Sequence, residues 1–285
     1  MDALMQAESV RSVQVWATPL LDYVFLTISF LGSLDFYLIA LALLFWLGNR
    51  PLAFRLSLVA LLAHLVNLYL KDYFQLPRPS PAEVRVVGNP QGFGFPSGHA
   101  QVAAAFWTDL SLEVRSGWLF LCALLAVAAI GFSRVYLGAH FPGDVLGGLA
   151  FGAAVALLVR GVYRLWRRLV VPDLLPFYLV LAMLGPLALL VWYNTPESRI
   201  AVGLLIGTAT GYLLYPEEER GRRWQGGWLR SSIKAFIGLT VLFLLRSAVD
   251  ELVAGGATAV AVPGYAVLGL WVTLGAPLLF RWLWT

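Results

Sequence analysis

The sequence predicts an all-α, polytopic membrane protein. Hydrophobic residues make up 60% of its 285 residues and charged residues only 13%, against roughly 45–50% and about 25% in soluble domains. The charges gather in short clusters between apolar runs, which is typical of helices that cross a bilayer. No basic run is interleaved with exposed aromatic residues, so the net charge of +4 predicts no nucleic-acid partner and fits positive loops beside membrane lipids.

Apolar stretches of about 20 residues, the length that a spanning helix needs, divide the chain into ten candidate spans. The first stretch, Pro19 to Leu47, is interrupted around Gly32, so we interpret it as two short helices. Six spans form a core up to residue 163, and about four additional C-terminal transmembrane helices follow. We therefore predict two domains, 1–163 and 164–285, the second of unknown role. The remaining spans run over 53–70, 100–112, 117–136, 144–163, 174–193, 199–215, 232–253 and 264–282.

The basic residues are unevenly divided between the two ends of these spans. Of twenty Lys and Arg residues, fourteen fall at the end opposite Lys71. Because cytoplasmic loops are enriched in such residues, we expect Lys71 to face the outside or periplasm from a plasma or inner membrane. If Pro19 to Leu47 crossed only once, the N-terminus alone would change sides. The fourteen are Arg11, Arg50, Arg55, Arg115, Arg160, Arg164, Arg167, Arg168, Arg220, Arg222, Arg223, Arg230, Lys234 and Arg281.

Three segments concentrate cations and two of the three histidines at the predicted outward end. One closes the third span, one opens the fourth, and one joins the fifth to the sixth. No other part of the chain combines these residue types at one membrane face. The segments are Lys71 to Arg78-Pro79, Pro96-Ser97-Gly98-His99, and Ser133-Arg134 to His140 and Asp144.

These residue types suit phosphoryl transfer, in which fixed cations and N–H groups stabilise the negative charge on the phosphate oxygens. Lys71, Arg78 and Arg134 can supply the cations. Gly98 begins a predicted helix, whose free N–H groups bind anions, and its missing Cβ would let phosphate approach the backbone. Ser97 can donate a hydroxyl to the phosphate, cap the helix, or do both.

The histidines can supply a nucleophile and an acid. The imidazole of His140 can attack phosphorus through one nitrogen while Asp144 holds the N–H of the other. On a different helix, His99 can protonate the leaving group and later activate water. The outward segments hold only Asp72, Glu83 and Asp144 as carboxylates, too few for a two-metal site. We therefore expect a reaction that needs neither metal nor cofactor.

The three segments match the signature Lys-x6-Arg-Pro, Pro-Ser-Gly-His, Ser-Arg-x5-His-x3-Asp of the type 2 phosphatidic acid phosphatase family at every position. That family includes vanadium haloperoxidases and resembles glucose-6-phosphatase. The resemblance covers about residues 20 to 163 and implies a six-helix core. The residues after 163 have no counterpart in the minimal core of the family. It also implies the same roles: His140 as nucleophile, Asp144 as its partner, His99 as general acid, and Lys71, Arg78, Ser97, Gly98 and Arg134 as phosphate ligands.

The leading hypothesis is an outward-facing hydrolase of a lipid phosphate or diphosphate monoester, such as phosphatidic acid, phosphatidylglycerol phosphate or a polyprenyl diphosphate. Two alternatives stay open. The chain could act on a soluble phosphate ester or transfer phosphate to another acceptor, or it could move a lipid phosphate across the bilayer without cleaving it. Outside the motifs, His64 and Asn67 share a helical face with Lys71 and predict interhelical hydrogen bonds or support behind the phosphate site. Arg246 and Asp250, one helical turn apart, predict an internal ion pair.

Overall fold

A computed structural model describes residues 2–169, 174–216, 218 and 227–284, and every regular element among them is helical. The all-α prediction is confirmed, and each of the ten predicted segments falls on a described helix. Arg220, Arg222 and Arg223, three of the fourteen basic residues predicted at the end opposite Lys71, lie outside the described residues. The α-helices are α1 (Ala7–Gln14), α2 (Pro19–Phe30), α3 (Leu34–Leu47), α4 (Arg50–Phe74), α5 (Gly98–Val114), α6 (Gly117–Tyr136), α7 (Pro142–Leu169), α8 (Leu175–Trp192), α9 (Pro196–Leu214), α10 (Trp228–Ala254), α11 (Ala261–Leu270) and α12 (Ala276–Trp284).

Six helical segments in the described part of the chain are long and apolar enough to cross a bilayer, or seven if the bent pair α1 and α2 counts as one span. The stretch that was interpreted as two short helices is α2 and α3. The last predicted span comprises α11, a π-helical turn at Trp271–Gly275 and α12. This composition supports a multi-pass integral membrane protein.

Local capping signals set several of the helix ends. The hydroxyl of Thr18 accepts from the N–H of Leu21 just before Pro19 opens α2. Thr195 and Ser198 form a reciprocal capping box at the start of α9. Because the first N–H groups of a helix have no partner within it, such residues fix where each helix begins.

The chain divides into two compact units. Unit 1 comprises Met1–Tyr37 and Leu62–Val162, and unit 2 comprises Leu38–Leu61 and Tyr163–Thr285. All three motif segments belong to unit 1. The predicted domain boundary after residue 163 stays a prediction.

One predicted placement within unit 1 is wrong. Arg11 was expected at the end opposite Lys71 and Arg78, but its Nε donates to the carbonyl of Glu83 at 2.6 Å. Glu83 lies in the segment that connects Arg78 to the Pro96–His99 motif, so α1 packs at the same end as the motifs. The contact fits the alternative in which Pro19 to Leu47 crosses once. Charge counting missed it because a short helix can fold back onto a loop.

In unit 2, α9 and α11 approach closely. A Cβ on Gly207 would overlap the carbonyl oxygen of Ala266, and one on Gly203 would lie 2.5 Å from that of Val262. Small residues at such positions let helix backbones pack in contact. The predicted pairing of Arg246 with Asp250 is also confirmed, with Arg246 Nε 3.5 Å from Asp250 Oδ2, but the Asp250 side chain is 47% exposed and the pair is not internal.

In unit 1, glycines bring α7 against α5, which begins with the Pro-Ser-Gly-His motif. A Cβ on Gly148 would lie 2.5 Å from the carbonyl oxygen of Ser97. A Cβ on Gly152 would overlap the carbonyl oxygen of Gln101 and lie 2.9 Å from the Cβ of Ala104. This close contact sets the distance between Ser97 on α5 and the start of α7.

We expect Gly152→Ala to lower the melting temperature of the detergent-purified protein and Gly161→Ala to leave it unchanged or raise it. Both glycines lie in α7, where alanine is intrinsically better by about 1 kcal/mol. A Cβ at position 161 meets nothing within 4 Å, whereas overpacking at position 152 costs about 1–3 kcal/mol. Equal shifts for the two variants would contradict the tight α5–α7 contact.

Candidate active site

The imidazole of His140 lies in the short turn between α6 and α7 and is only 2% exposed. Its Nδ1 is 3.3 Å from Asp144 Oδ2, and its Nε2 is 3.0 Å from Nη1 of Arg78. A guanidinium only donates hydrogen bonds, so Nε2 must be the acceptor and Nδ1 must carry the proton. The geometry therefore leaves the lone pair on Nε2, the nitrogen that lies beside Arg78.

Burial holds the pKa of the His140 imidazole well below its usual range, and the positive charge of Arg78 lowers it further. A group with a lowered pKa stays deprotonated as the pH falls below 6.5, the value expected for an exposed histidine. His140 is consequently neutral at pH 7, which nucleophilic attack requires.

The carboxylate of Asp144, in the first turn of α7, is fully buried. Its Oδ2 accepts from the N–H of Phe141 at 2.9 Å as well as from His140. The Asp144 carbonyl accepts from the N–H of Ser97 at 2.9 Å, which ties the second motif to the third. Asp144 thus contacts the imidazole and joins two of the three segments.

Backbone carbonyls hold Arg78 in place. Its guanidinium donates to Gln91 at 2.7 Å, to Gly92 at 2.9 Å and to Ala139 at 2.8 Å. Since Ala139 directly precedes His140, the first motif contacts the third through both backbone and side chain.

Lys71, in the last turn of α4, donates its ammonium to the carbonyls of Phe93 and, at 3.3 Å, Gly94. A Cβ on Gly94 would lie 2.7 Å from the Pro77 carbonyl and 3.1 Å from Asp144 Oδ2. The loop that Lys71 holds therefore passes directly beside Asp144.

Ser97 is fully buried at the N-cap of α5, but its side chain makes no capping hydrogen bond. Its Oγ has no hydrogen-bond partner among the described residues. The capping interpretation of Ser97 is therefore wrong, and a buried hydroxyl is left for a ligand. Gly98 is needed for a reason that the sequence did not reveal, because a Cβ there would lie 2.9 Å from Oδ1 of Asn67.

Arg134 and His99 are the last two of the eight predicted site residues. Arg134 donates through Nη1 to the hydroxyl of Ser29 at 2.6 Å, while its Nε is buried without a partner within the described ranges. His99 packs against Gly32, where α2 ends, and interacts electrostatically with Arg134, Arg78 and Lys71. The structure thus brings all eight predicted site residues to one end of unit 1, and their individual roles stay predictions.

Asn67 and Gln101 support this arrangement from behind. Asn67 Nδ2 donates to the Pro96 carbonyl at 3.0 Å and to Gln101 Oε1 at 2.9 Å, and Gln101 Nε2 donates to the Ala63 carbonyl at 3.0 Å. The interhelical interpretation of Asn67 is correct. The importance of Gln101 was missed, although a glutamine in the apolar run of α5 is itself a signal for a buried polar contact.

No group of three or more His, Cys, Asp or Glu side chains that could hold a metal ion occurs among residues 2–169, 174–216, 218 and 227–284. The candidate site instead consists of cations, two histidines and one carboxylate. That set can bind an anion and offer it a neutral imidazole.

Comparisons with known proteins identify the family of this chain. Residues 52–168 match the model of the PAP2 superfamily. Residues 200–284 match that of the PAP2 superfamily phosphatase, transmembrane extension. The two matches together cover both the motif segments and most of the C-terminal helices.

Two named phosphatases are similar to part of this chain. Lipid phosphate phosphatase delta of Arabidopsis thaliana is 32% identical over 163 residues, 51% of this chain and 39% of the relative. Phosphatidylglycerophosphatase B of Bacillus subtilis is 33% identical over 106 residues, 34% of this chain and 51% of the relative. This chain thus spans about half or less of the length of these relatives.

The crystal structure of a transmembrane PAP2 type phosphatidylglycerolphosphate phosphatase from Bacillus subtilis superposes with a TM-score of 0.51 at 26% identity, covering 59% of this chain and 88% of that one. The resemblance inferred from the three motifs is therefore confirmed. The chain belongs to the PAP2 superfamily, with a PAP2 domain followed by the transmembrane extension of PAP2 superfamily phosphatases.

Proposed function

We propose that this chain is a metal-independent membrane phosphatase that hydrolyses a lipid phosphate or diphosphate monoester through a phosphohistidine on His140. The observation that carries the proposal is the pair of contacts on the His140 ring. Asp144 accepts from Nδ1, and Arg78, a cation suited to phosphate, lies 3.0 Å from the unprotonated Nε2. A phosphate held by Arg78 would therefore lie next to the nucleophilic nitrogen.

The reaction balances with residues of the site alone. His140 Nε2 attacks phosphorus, the bond from phosphorus to the leaving oxygen breaks, and that oxygen takes a proton from His99 in its imidazolium form. The negative charge of the bound phosphate stabilises that form beside Arg78 and Arg134. Water then attacks the phosphohistidine, gives a proton to His99, and the N–P bond breaks to release phosphate. Asp144 stabilises the positive charge that the ring gains while the N–P bond exists.

Two buried donors of the site support an anionic substrate. Ser97 Oγ and Arg134 Nε both lack a hydrogen-bond partner within the described part of the chain. A buried donor that lacks a partner costs about 1–3 kcal/mol, so a ligand that accepts from it gains that energy on binding. A phosphate carries negative charge and several oxygens, so it can accept from both donors at once.

A lipid is the favoured substrate class because of where the site lies. Lys71 is in the last turn of one candidate span and Asp144 in the first turn of another. A substrate at that depth can keep its acyl or prenyl tail in the bilayer while its phosphate reaches the cations. Two relatives of this chain, a lipid phosphate phosphatase and a phosphatidylglycerophosphatase, also favour a lipid substrate. By the uneven distribution of Lys and Arg, we infer that the site faces outward.

We expect the purified protein to release inorganic phosphate from phosphatidic acid, phosphatidylglycerol phosphate or a polyprenyl diphosphate, at an unchanged rate in excess EDTA. The chemistry is complete without a Lewis acid, so chelation has nothing to remove. Sugar phosphates assayed in parallel distinguish a soluble substrate from a lipid.

Three results would contradict parts of this proposal. Activity lost in EDTA and restored by Mg²⁺ would exclude the metal-independent reaction. Faster turnover of sugar phosphates than of every lipid would exclude the lipid specificity. No phosphate release from any ester, together with movement of the lipid across liposomes, would favour the transporter alternative.

A further inference from the structure

The turn that carries His140 is held from outside the three motifs by α1, a short helix before the first predicted span. The contacts that hold the turn are made by Gln14, the last residue of α1. Its Nε2 donates to the carbonyl of Arg85 at 2.6 Å and to that of Tyr136 at 2.8 Å. Its Oε1 accepts from the N–H of Arg85 at 3.1 Å. Both N–H donors and the carbonyl oxygen of the amide are therefore in use.

These three bonds join two segments that flank the candidate site. The side-chain amide of Gln14 binds both the N–H and the carbonyl of Arg85. These are the two backbone groups that a neighbouring strand would bind in a β-sheet. Two residues further along, the N–H of Val87 donates directly to the Leu137 carbonyl at 2.9 Å. The segment around Arg85 is thus fixed to the end of α6, where the His140 turn begins.

The turn itself depends on this close approach. Gly138 has a φ of 69°, and a Cβ there would overlap the Arg85 carbonyl oxygen and lie 3.1 Å from Gln14 Nε2. Glycine is the residue that tolerates both the left-handed backbone and the contact. His140 follows two residues later, and the carbonyl between them, that of Ala139, accepts from Arg78. Gln14 and Arg78 therefore hold the two ends of one turn.

Apolar packing joins α1 to the same turn. Val10 is fully buried in a cluster with Val84, Phe141 and Val145, the last two being the residues after His140 and Asp144. Met5 lies against Gly143, where a Cβ would be 2.5 Å from the methionine sulfur. Val10 of α1 and Met5, just before it, therefore pack against the turn, and Gln14 binds the turn through polar contacts at the C-terminal end of the helix.

We propose that Gln14 is a positioning residue for the phosphoryl transfer proposed above, on which this inference rests: it fixes the Tyr136–His140 turn so that Nε2 of His140 meets phosphorus. It touches no reacting atom. Losing it frees one end of the turn, while the cations that bind phosphate keep their own partners. Replacing Gln14 should therefore lower kcat and leave KM unchanged.

The test compares Gln14→Leu with Gln6→Leu in the full-length protein. Gln6 precedes the same helix, is exposed and makes no side-chain capping bond. We expect Gln14→Leu to lower kcat per folded molecule about tenfold or more, because small misplacements of reacting groups cost up to about 10²-fold, with KM changed less than about twofold. Gln6→Leu keeps both values. Folded protein is quantified by gel filtration and thermal melting.

A kcat equal to that of Gln6→Leu, or a loss seen only in KM or in the folded fraction, overturns the positioning role while the proposed function stands. If Gln14→Leu does not fold, Gln14→Asn decides, since its shorter side chain cannot reach both carbonyls. Its kcat must then fall with KM unchanged, and full kcat overturns the inference. No phosphate release by the unaltered protein overturns the proposed function and this inference with it.

Discussion

A His140→Ala variant is expected to lose about 10⁴-fold or more in phosphate release, since removing a nucleophile leaves only binding and electrostatic effects. The other histidine of the site, His99, is assigned to proton transfer, and the remaining neighbours are cations, a hydroxyl and an oriented carboxylate, so none of them takes over the attack. Burial keeps the pKa of this imidazole below its usual range, so the unaltered protein has a neutral ring at pH 7. The measurement is phosphate release from the best lipid substrate under single-turnover conditions.

Thermal melting and gel filtration must show that the variant folds, because Arg78 Nη1 loses one of its two acceptors, Nε2, and keeps the Ala139 carbonyl. Quenching in an alkaline denaturant, which preserves the acid-labile N–P bond, should trap ³²P-labelled protein from a labelled substrate in the parent and none in the variant. Activity within about tenfold of the parent would refute His140 as the nucleophile. A different residue, or water directly, would then attack phosphorus.

The helices and the three motif segments could be predicted from the sequence because their signals are local. An apolar run of sufficient length predicts a span wherever it occurs. Lys71, Arg78 and His140 are recognisable by residue type and spacing. The convergence of the segments followed from their common position at the ends of predicted spans.

Contacts between distant residues could not be predicted in the same way. Ser29, which accepts from Arg134, and Gln14, which binds Arg85 and Tyr136, are ordinary polar residues in sequence. Their importance comes from tertiary contacts across 105, 71 and 122 positions. Such pairings leave no periodicity or spacing that a single sequence would reveal.

Gly98 and Ser97 illustrate a different limit. Their place in a phosphate motif was recognisable, but the physical reason for each residue was not. Gly98 fits against Asn67, and the Ser97 hydroxyl makes no helix cap. The sequence indicated which residues matter, and only the packing of α4 against the start of α5 showed why.

Asp144→Asn is expected to lower kcat by about 10³- to 10⁴-fold, as loss of the orienting carboxylate does in a histidine-dependent triad. The amide can still accept from Phe141 and His140, so the fold should persist. It brings no negative charge, and the cation that forms on the ring beside Arg78 is left without compensation.

The effect should be specific to the chemical step. Asp144 faces the imidazole and not the substrate, and removing a carboxylate from a site that binds an anion cannot weaken binding electrostatically. KM should therefore stay unchanged or fall while kcat collapses. Asp109→Asn is the matched control, since Asp109 is equally buried in unit 1 but pairs with Arg160 at 3.0 Å.

The control should lower the melting temperature, because it weakens a buried ion pair, and leave kcat per folded molecule unaltered. Equal losses of kcat in the two variants would mean that Asp144 acts only through stability. A large rise in KM for Asp144→Asn, with kcat kept, would instead place this carboxylate in substrate binding. Either outcome would remove the orienting role on which the Nδ1–H tautomer, and thus attack by Nε2, depends.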